Sequence, residues 1–383
     1  MPKTGTSAVQ LALWSAREQL ADHGVHNVSH HPHERDVGLT AIGSDRAFYR
    51  HRPWRWRQLA EEFRSSRSRQ TVWSSEALSL ASAERVERLR AELGPAYIVT
   101  TLRPLAPQLA SRWQQGVRRG ARLPLDDWLR HRLARPTTPD WDVPHVRGDT
   151  LQRSDPRRIV EHWGRVFGED RLLFVIQEPD DRSLLLRRVE ALLGVPAVMP
   201  EIETANASLP YPETEVIRHY AIAHHALGRS RRRWMATVGD PRRLRVRTVV
   251  QQATRRPIRV PRWAAERANE HATAWAEGLQ DSAATVVGDV NNLLVDPADH
   301  PVEDEQPTVV DITSAGQLIQ ACVDASVPQG ALDMLDLSGE TDTTRPDASP
   351  ALGVLEPIPD AALVRELGRR VLRRLRRRPG RQE

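Results

Sequence analysis

Apolar residues recur along the first 200 residues in two alternating patterns. Stretches in which they repeat every three or four residues predict helices, and short apolar runs between them predict strands. Because strands that alternate with helices usually form a parallel sheet covered on both faces, the pattern predicts an α/β fold. The predicted strands are 71–74, 97–102 and 171–177, and the predicted helices are 9–21, 82–93, 109–117, 126–133, 156–167 and 181–193.

The pattern changes after residue 206. It becomes helical with Arg-rich gaps, up to a predicted helix at 263–279. Residues 299–350 are acidic, rich in Pro, Thr and Ser, and poor in aromatic residues, which predicts a largely disordered linker with one short helix at 314–325. We therefore divide the chain into three parts: an α/β domain at 1–295, an acidic linker at 296–356 and a basic terminal helix at 357–383.

The terminal helix has an apolar stripe among arginines between residues 361 and 378. This pattern suits an anionic membrane surface or an acidic partner. It also suits a solvated helix that docks on the protein's own core or on the acidic linker, and the sequence leaves these alternatives open.

Composition narrows the possible compartments and chemistries. No apolar run approaches the roughly 18 residues that cross a bilayer, and no signal-peptide pattern is present, so we expect a cytoplasmic protein, with peripheral contact at the inner membrane face through its terminal helix as an open alternative. Cys322 is the only cysteine, which excludes an intramolecular disulfide and a Cys-based metal site. Lys3 is the only lysine among 55 Lys and Arg residues, so its position is informative.

Lys3 falls in a candidate phosphate loop. The segment Pro2-Lys3-Thr4-Gly5-Thr6-Ser7 leads directly into a predicted helix. A glycine turn before a helix N-terminus presents backbone N–H groups and the positive end of the helix dipole, while hydroxyls and a lysine add donors. The order differs from the nucleotide-triphosphatase loop, in which the lysine follows the glycines.

The loop resembles the 5′-phosphosulfate loop of the sulfotransferases that use 3′-phosphoadenosine 5′-phosphosulfate (PAPS). Arg103, after the predicted strand 97–102, and Ser111, eight residues later, resemble the pair that binds the 3′-phosphate in that family. Segments 72–76, 162–178 and 206–209 resemble elements of an actinobacterial, carbohydrate-sulfotransferase-like branch. The resemblance covers about residues 1–295.

The resemblance implies a fold, a reaction and a binding site. The fold is a P-loop-type parallel sheet flanked by helices, with a helical C-terminal half. The reaction is in-line transfer of the sulfuryl group of PAPS to a hydroxyl or amine, on a carbohydrate or lipid-linked acceptor, with no metal required. The cofactor-binding residues implied are Pro2, Lys3, Thr4, Gly5, Thr6, Ser7, Arg103 and Ser111, and Lys3 is also the implied catalytic cation.

The sequence departs from the family at its amino end. Family members have a strand before the loop, whereas this sequence starts at the loop itself. We expect the true start to lie upstream, with Met1 an internal methionine; the alternative is a damaged protein.

An acceptor hydroxyl needs a general base. Glu76 follows a predicted strand, at the place where many family members have a catalytic His or Glu, and His30, His31 and His33 form a second candidate group. A His-rich tract can also bind metal, but no cysteine or well-spaced carboxylate completes such a site.

Two other classes of function compete with this interpretation. A P-loop kinase or nucleotidase needs the Walker order and carboxylates for Mg²⁺, which the sequence lacks. A basic nucleic-acid-binding protein would draw on the pI near 10 and on the Arg-Trp segment 52–57, but no known binding module surrounds that segment. We therefore expect PAPS and a small-molecule or glycan acceptor as partners, and no nucleic acid.

Overall fold

Parallel strands form two short sheets in the computed structural model, which describes residues 5–44, 51–134, 151, 154–179, 181, 183–201, 209–239, 258–312, 314–316 and 318–319. Strand β1 (Val25–Asn27) pairs with β2 (Gln70–Val72). Strands β3 (Ile98–Leu102), β4 (Leu172–Ile176) and β5 (Thr285–Val287) form the second sheet in that order. All these pairings are parallel and helices flank both sheets, which confirms the predicted α/β class.

Helices connect the strands, as parallel pairing requires. The described helices are α1 Thr6–Ser15, α2 Arg17–Asp22, α3 Arg35–Ala41, α4 Pro53–Ser65, α5 Ala83–Leu93, α6 Leu105–Arg118, α7 Leu125–Leu133, α8 Pro156–Ile159, α9 Arg165–Phe167, α10 Ser183–Leu193, α11 Tyr211–Ala226, α12 Arg231–Trp234 and α13 Arg262–Gln280. Ser82 caps α5 by accepting a hydrogen bond from the backbone N–H of Arg85, and Pro53 occupies the first turn of α4. A π-helical segment, Val160–Gly164, joins α8 to α9.

The second sheet separates two hydrophobic cores. Phe174 and Ile176 of β4 belong to one core, and Val175 between them belongs to the other. Because alternate side chains of a strand point to opposite faces, the two cores lie on opposite faces of this sheet. The core around Phe174, called core A, also includes Leu89, Trp163 and Phe167; the core around Val175, called core B, also includes Val9, Leu13 and Val189.

A third core forms among the helices α6, α7, α11 and α13, in agreement with the predicted helical C-terminal half. Trp113 of α6 is fully buried at this core and donates from its indole N–H to the carbonyl oxygen of Leu123, at 3.0 Å. Gln114, also buried, donates to the hydroxyl of Thr214, at 2.9 Å, and thereby joins α6 to α11.

The predicted boundary at residue 295 does not separate the acidic segment from this helical core. The phenol of Tyr211 donates to the carboxylate of Asp304, at 2.8 Å, and the backbone N–H of Arg262 donates to the carbonyl of Pro301, at 2.7 Å. Leu318 is buried in the helical core. Acidic side chains thus find polar partners in the folded part of the chain, and the packed region extends past 295. The rest of the linker and the terminal helix lie outside the described residues.

A buried histidine makes the stability of this fold depend on pH. His271 of α13 is 3% exposed, and its Nε2 atom has no hydrogen-bond partner among the described residues. Burial and then the positive charges of Arg267 and Arg157 lower the pKa of His271 to about 4. As the pH falls, the unfolded chain binds a proton at this histidine before the folded chain does. The free energy of unfolding should therefore decrease by about 3 kcal/mol between pH 6.5 and pH 4.

We expect His271→Leu to remove that part of the pH dependence. The measurement is denaturant unfolding of both proteins at several values between pH 4 and pH 7. The unfolding free energy of His271→Leu minus that of the wild type should grow as the pH falls, and a constant difference would contradict the assignment.

Candidate functional site

The described part of the predicted phosphate loop, residues 5–7, begins at the carboxyl end of β4. Gly5 has a φ of 75°, in the left-handed region, and it immediately precedes α1. A Cβ atom at this position would lie 2.2 Å from Nε2 of Gln177 and 2.7 Å from Cδ2 of Leu185. Gln177 is the first residue after β4, so Gly5 contacts the far ends of side chains at this end of the sheet, and its positive φ favours glycine at the turn.

The N-terminus of α1 has no side-chain cap. Its first turn closes with hydrogen bonds from the N–H groups of Ala8 and Val9 to the carbonyl of Gly5. Thr6 and Ser7 are half-buried in this first turn. Backbone N–H groups and the helix dipole favour a negatively charged group at such an end. Pro2, Lys3 and Thr4 lie outside the described residues.

Arg103 lies at the same end of the sheet, where the strands terminate. The backbone N–H of Gln177 donates to the carbonyl of Leu102, at 2.8 Å, and Arg103 follows Leu102 directly. Gly5 therefore contacts Gln177, and the backbone of Gln177 pairs with Leu102, the residue before Arg103. The described part of the loop and the predicted 3′-phosphate arginine thus both lie at the end of the sheet where β3 and β4 terminate.

Arg103 contacts the helix that carries Ser111. The guanidinium of Arg103 donates from Nη2 to the carbonyl of Pro107, at 2.8 Å. Ser111 is one helical turn beyond Pro107 on α6, so both positions share a helix face. The two side chains are half-buried, which leaves each partly accessible to a ligand.

Glu76 faces a cavity that the loop also reaches. It is exposed at the start of a 3₁₀ helix, Glu76–Leu80, four residues after β2. Thr6 and Glu76 both line a cavity of about 990 Å³. A carboxylate and the helix N-terminus therefore border one space.

The three histidines after β1 are exposed and have different neighbours. The ring of His30 hydrogen-bonds Glu62 of α4, at 3.1 Å, and the ring of His31 lies 6.4 Å from that of Trp14. His33 hydrogen-bonds Gln10 of α1 through Nδ1, at 3.1 Å. Gln10 is one turn beyond the start of α1, so among the three His33 has the most direct contact with the helix of the phosphate loop.

A buried ion pair supports the histidine segment, and the sequence pattern did not single it out. The carboxylate of Glu34 accepts hydrogen bonds from the guanidinium of Arg55 and from the backbone N–H of His30, both at 3.0 Å. Both side chains of the pair are nearly inaccessible to solvent. The sequence pattern did not single out Gln177 either, although it directly follows a buried strand, and ligands of parallel sheets usually bind at the carboxyl ends of the strands.

The Arg-Trp segment is an amphipathic helix surface. Trp56 is buried in core A and donates to the carboxylate of Glu92, at 2.7 Å, whereas Trp54 is exposed. Only one of the two rings is therefore accessible for stacking on a base.

Within the described ranges, no group of three His, Cys, Asp or Glu side chains has the spacing of a metal site. None of the helices described is both long and apolar enough to cross a bilayer.

Comparisons with known proteins leave the family open. No family model matches the chain, and neither the curated proteins nor the solved structures contain a match.

Proposed function

We propose that this protein is a sulfotransferase that moves the sulfuryl group of PAPS to a hydroxyl or amine, on a carbohydrate or lipid-linked acceptor. The observation that carries the proposal is the common position of the loop and Arg103. Gly5 approaches Gln177 closely, and Gln177 pairs with Leu102 next to Arg103. Two anion-binding elements at the carboxyl end of the strands suit a nucleotide that has phosphate groups on both the 3′ and the 5′ positions of its ribose.

In this proposal the two ends of the nucleotide are bound by different elements. The N–H groups of α1 and the hydroxyls of Thr4, Thr6 and Ser7 bind the 5′-phosphosulfate. The guanidinium of Arg103 and the hydroxyl of Ser111 bind the 3′-phosphate, for which a planar guanidinium offers two parallel hydrogen bonds.

The transfer step needs a cation and a base. The acceptor oxygen attacks sulfur, the bond between sulfur and the bridging oxygen breaks, and its electron pair stays on the 5′-phosphate of the leaving nucleotide. Lys3 donates to that bridging oxygen as negative charge develops there. The acceptor's proton passes to the base as the new oxygen–sulfur bond forms.

Glu76 and His33 are the two candidates for this base that the contacts favour. Glu76 lines the cavity that Thr6 also lines, and His33 contacts α1 through Gln10. The ring of His30 contacts Glu62 of α4 rather than the helix of the loop.

Binding of the desulfated product, 3′-phosphoadenosine 5′-phosphate, tests the proposal. We expect Arg103→Ala to weaken this binding by about 10- to 100-fold, because hydrogen bonds to charged groups contribute about 1.5–3 kcal/mol. Arg130→Ala is the matched control, since Arg130 is an exposed arginine paired with Asp126 on α7. Titration calorimetry of the three proteins gives the affinities. No detectable binding by the wild type, or an equal loss in both variants, would refute the proposal.

A further inference from the structure

Three segments of the helical core meet around the buried ring of Trp234, the last residue of α12. The indole N–H of Trp234 donates to the carbonyl of Arg118 at the end of α6, at 3.1 Å. Its ring stacks on that of Tyr220 and meets that of His224 edge-on, and the ring centroids are 5.4 Å apart in both pairs. Since Tyr220 and His224 belong to α11, the loop after α6, the second half of α11 and α12 lie side by side.

A second contact attaches the same loop to α11. Arg218 of α11 donates from Nη1 to the carbonyl of Arg122 in the loop, at 3.0 Å. Arg218 is itself ion-paired with Glu215, and both side chains of this pair are buried. Ile222 lies one helical turn beyond Arg218 on the same side of α11. Leu123, the next residue of the loop, and Ile222 therefore lie on neighbouring parts of the protein surface.

Positive charge dominates these segments. Residues 116–123 and 216–238 contain eight arginines and neither aspartate nor glutamate. Arg122, Arg229 and Arg233 are exposed, and within the described part of the chain their guanidinium groups form no ion pair. The positive charge of these three arginines is therefore available to an anionic partner.

Large aliphatic side chains protrude among the arginines. Leu227 is 65% exposed, Leu123 is 44% exposed and Ile222 is 39% exposed. The aromatic rings are turned inward, because Trp234 is buried and Tyr220 is half-buried against it. A surface that stacks on nucleic-acid bases exposes its aromatic rings. Aliphatic side chains beside arginines instead suit the boundary between lipid headgroups and acyl chains.

The charge of this surface also argues against a second copy of the chain as its partner. Pairing two copies through it would place arginines opposite arginines, and such like-charge contacts oppose association. A membrane with anionic lipids offers negative headgroups to the guanidinium groups and an apolar interior to the leucines.

We propose that this basic surface, formed by residues 118–123, the second half of α11 with Arg229, and α12, docks on a membrane that contains anionic lipids. The arginines bind headgroup phosphates, and the exposed aliphatic side chains enter the boundary with the acyl chains. The surface is distinct from the terminal segment 361–378, and the proposal is independent of sulfuryl transfer.

Co-sedimentation of the full chain with phosphatidylcholine vesicles, with and without phosphatidylglycerol, tests the proposal. The wild type should partition onto the vesicles that contain phosphatidylglycerol. Substitution of Arg122, Arg229 and Arg233 together by alanine should lower this partition coefficient by about 10- to 100-fold, because each arginine near an anionic surface contributes up to about a factor of five.

The matched control replaces three exposed, ion-paired arginines of α2, α4 and α5 by alanine: Arg17, Arg64 and Arg88. It changes the net charge by the same amount and keeps the terminal segment, so it should partition nearly as the wild type does. No detectable partitioning of the wild type, or an equal loss in the two triple variants, would overturn the proposal.

Two leucine substitutions distinguish a membrane from a nucleic acid. Leu123→Ser combined with Leu227→Ser should lower the partition coefficient by at least about fivefold, because both side chains would otherwise be buried in the lipid boundary. Both positions are exposed, so the variant should unfold at the same Tm as the wild type. It should bind a single-stranded oligonucleotide as the wild type does. If the leucine variant kept full vesicle binding while the arginine variant lost oligonucleotide binding, the surface would be one for nucleic acid, and membrane docking would be refuted.

Discussion

Lys3→Ala is expected to slow release of 3′-phosphoadenosine 5′-phosphate from PAPS by about 10²- to 10³-fold, equivalent to about 3–4 kcal/mol of transition-state stabilisation. The reason is the negative charge that develops on the bridging oxygen as the sulfur–oxygen bond breaks. Lys3 is the only lysine of the chain, and every other side chain of the same charge is an arginine. A compact ammonium can approach a single oxygen atom, whereas a guanidinium presents a flat fork.

The control variant, Lys3→Arg, keeps the positive charge but replaces the compact ammonium with a planar guanidinium. This variant should bind 3′-phosphoadenosine 5′-phosphate with near wild-type affinity. It should form this product from PAPS much more slowly than the wild type does. Rates are measured with saturating PAPS, first with water and then with sugar hydroxyls as acceptors. Wild-type turnover by Lys3→Ala would exclude Lys3 as the catalytic cation.

Arg55→Ala is expected to destabilise the protein by about 3–5 kcal/mol, the usual cost of leaving a buried charge without its partner. The carboxylate of Glu34 is 2% exposed, and Arg55 is the cation that pairs with it. Glu34 also accepts from the backbone of His30, so the substitution should loosen the histidine segment as well. Denaturant unfolding measures the change in free energy.

Two variants make this result specific. Adding Glu34→Gln to Arg55→Ala removes the unpaired charge but keeps an oxygen that accepts from His30, so most of the lost stability should return. Arg88→Ala breaks an exposed ion pair with Glu92 on α5 and should cost less than about 1 kcal/mol. If Arg55→Ala were as mild as Arg88→Ala, the Glu34–Arg55 pair would not be a significant support of this region.

The regular elements of the fold were largely predictable, and the short ones were not. Strand β3 and helices α5 and α7 lie within a residue of the predicted bounds, because their apolar periodicity is long and their ends carry turn signals. The predicted helix 9–21 is instead two helices that meet at Ala16. Strands β1 and β5, of three residues each, were not predicted, whereas β2, which is equally short, overlaps the predicted strand 71–74.

Helix α4 was missed for a different reason. Its residues 53–65 include several arginines and glutamates, so the segment reads as polar, yet Trp56 and Leu59 form a narrow stripe that is buried in core A. The buried arginine on the same helix is compatible with packing only because Glu34 lies opposite, and a pairing 21 residues apart cannot be read from local pattern.

The candidate site likewise combines features that local sequence signals predict with contacts that only the structure shows. A glycine before a helix and an arginine after a strand are local signals, and the sequence found both Gly5 and Arg103. The contact of Gly5 with Gln177 depends on which strands are neighbours in the sheet, so it needed the structure. The choice among the histidines likewise depended on a tertiary contact, that of His33 with Gln10.

The most direct test of the shared nucleotide site compares two ligands that differ only in the 3′-phosphate. Affinities of wild type and Arg103→Ala are measured by calorimetry for 3′-phosphoadenosine 5′-phosphate and for adenosine 5′-phosphate. The wild type should prefer the first ligand by at least about tenfold, and Arg103→Ala should lose that preference while binding adenosine 5′-phosphate as the wild type does. An unchanged preference in Arg103→Ala would contradict the assignment of the two anion-binding elements to one nucleotide.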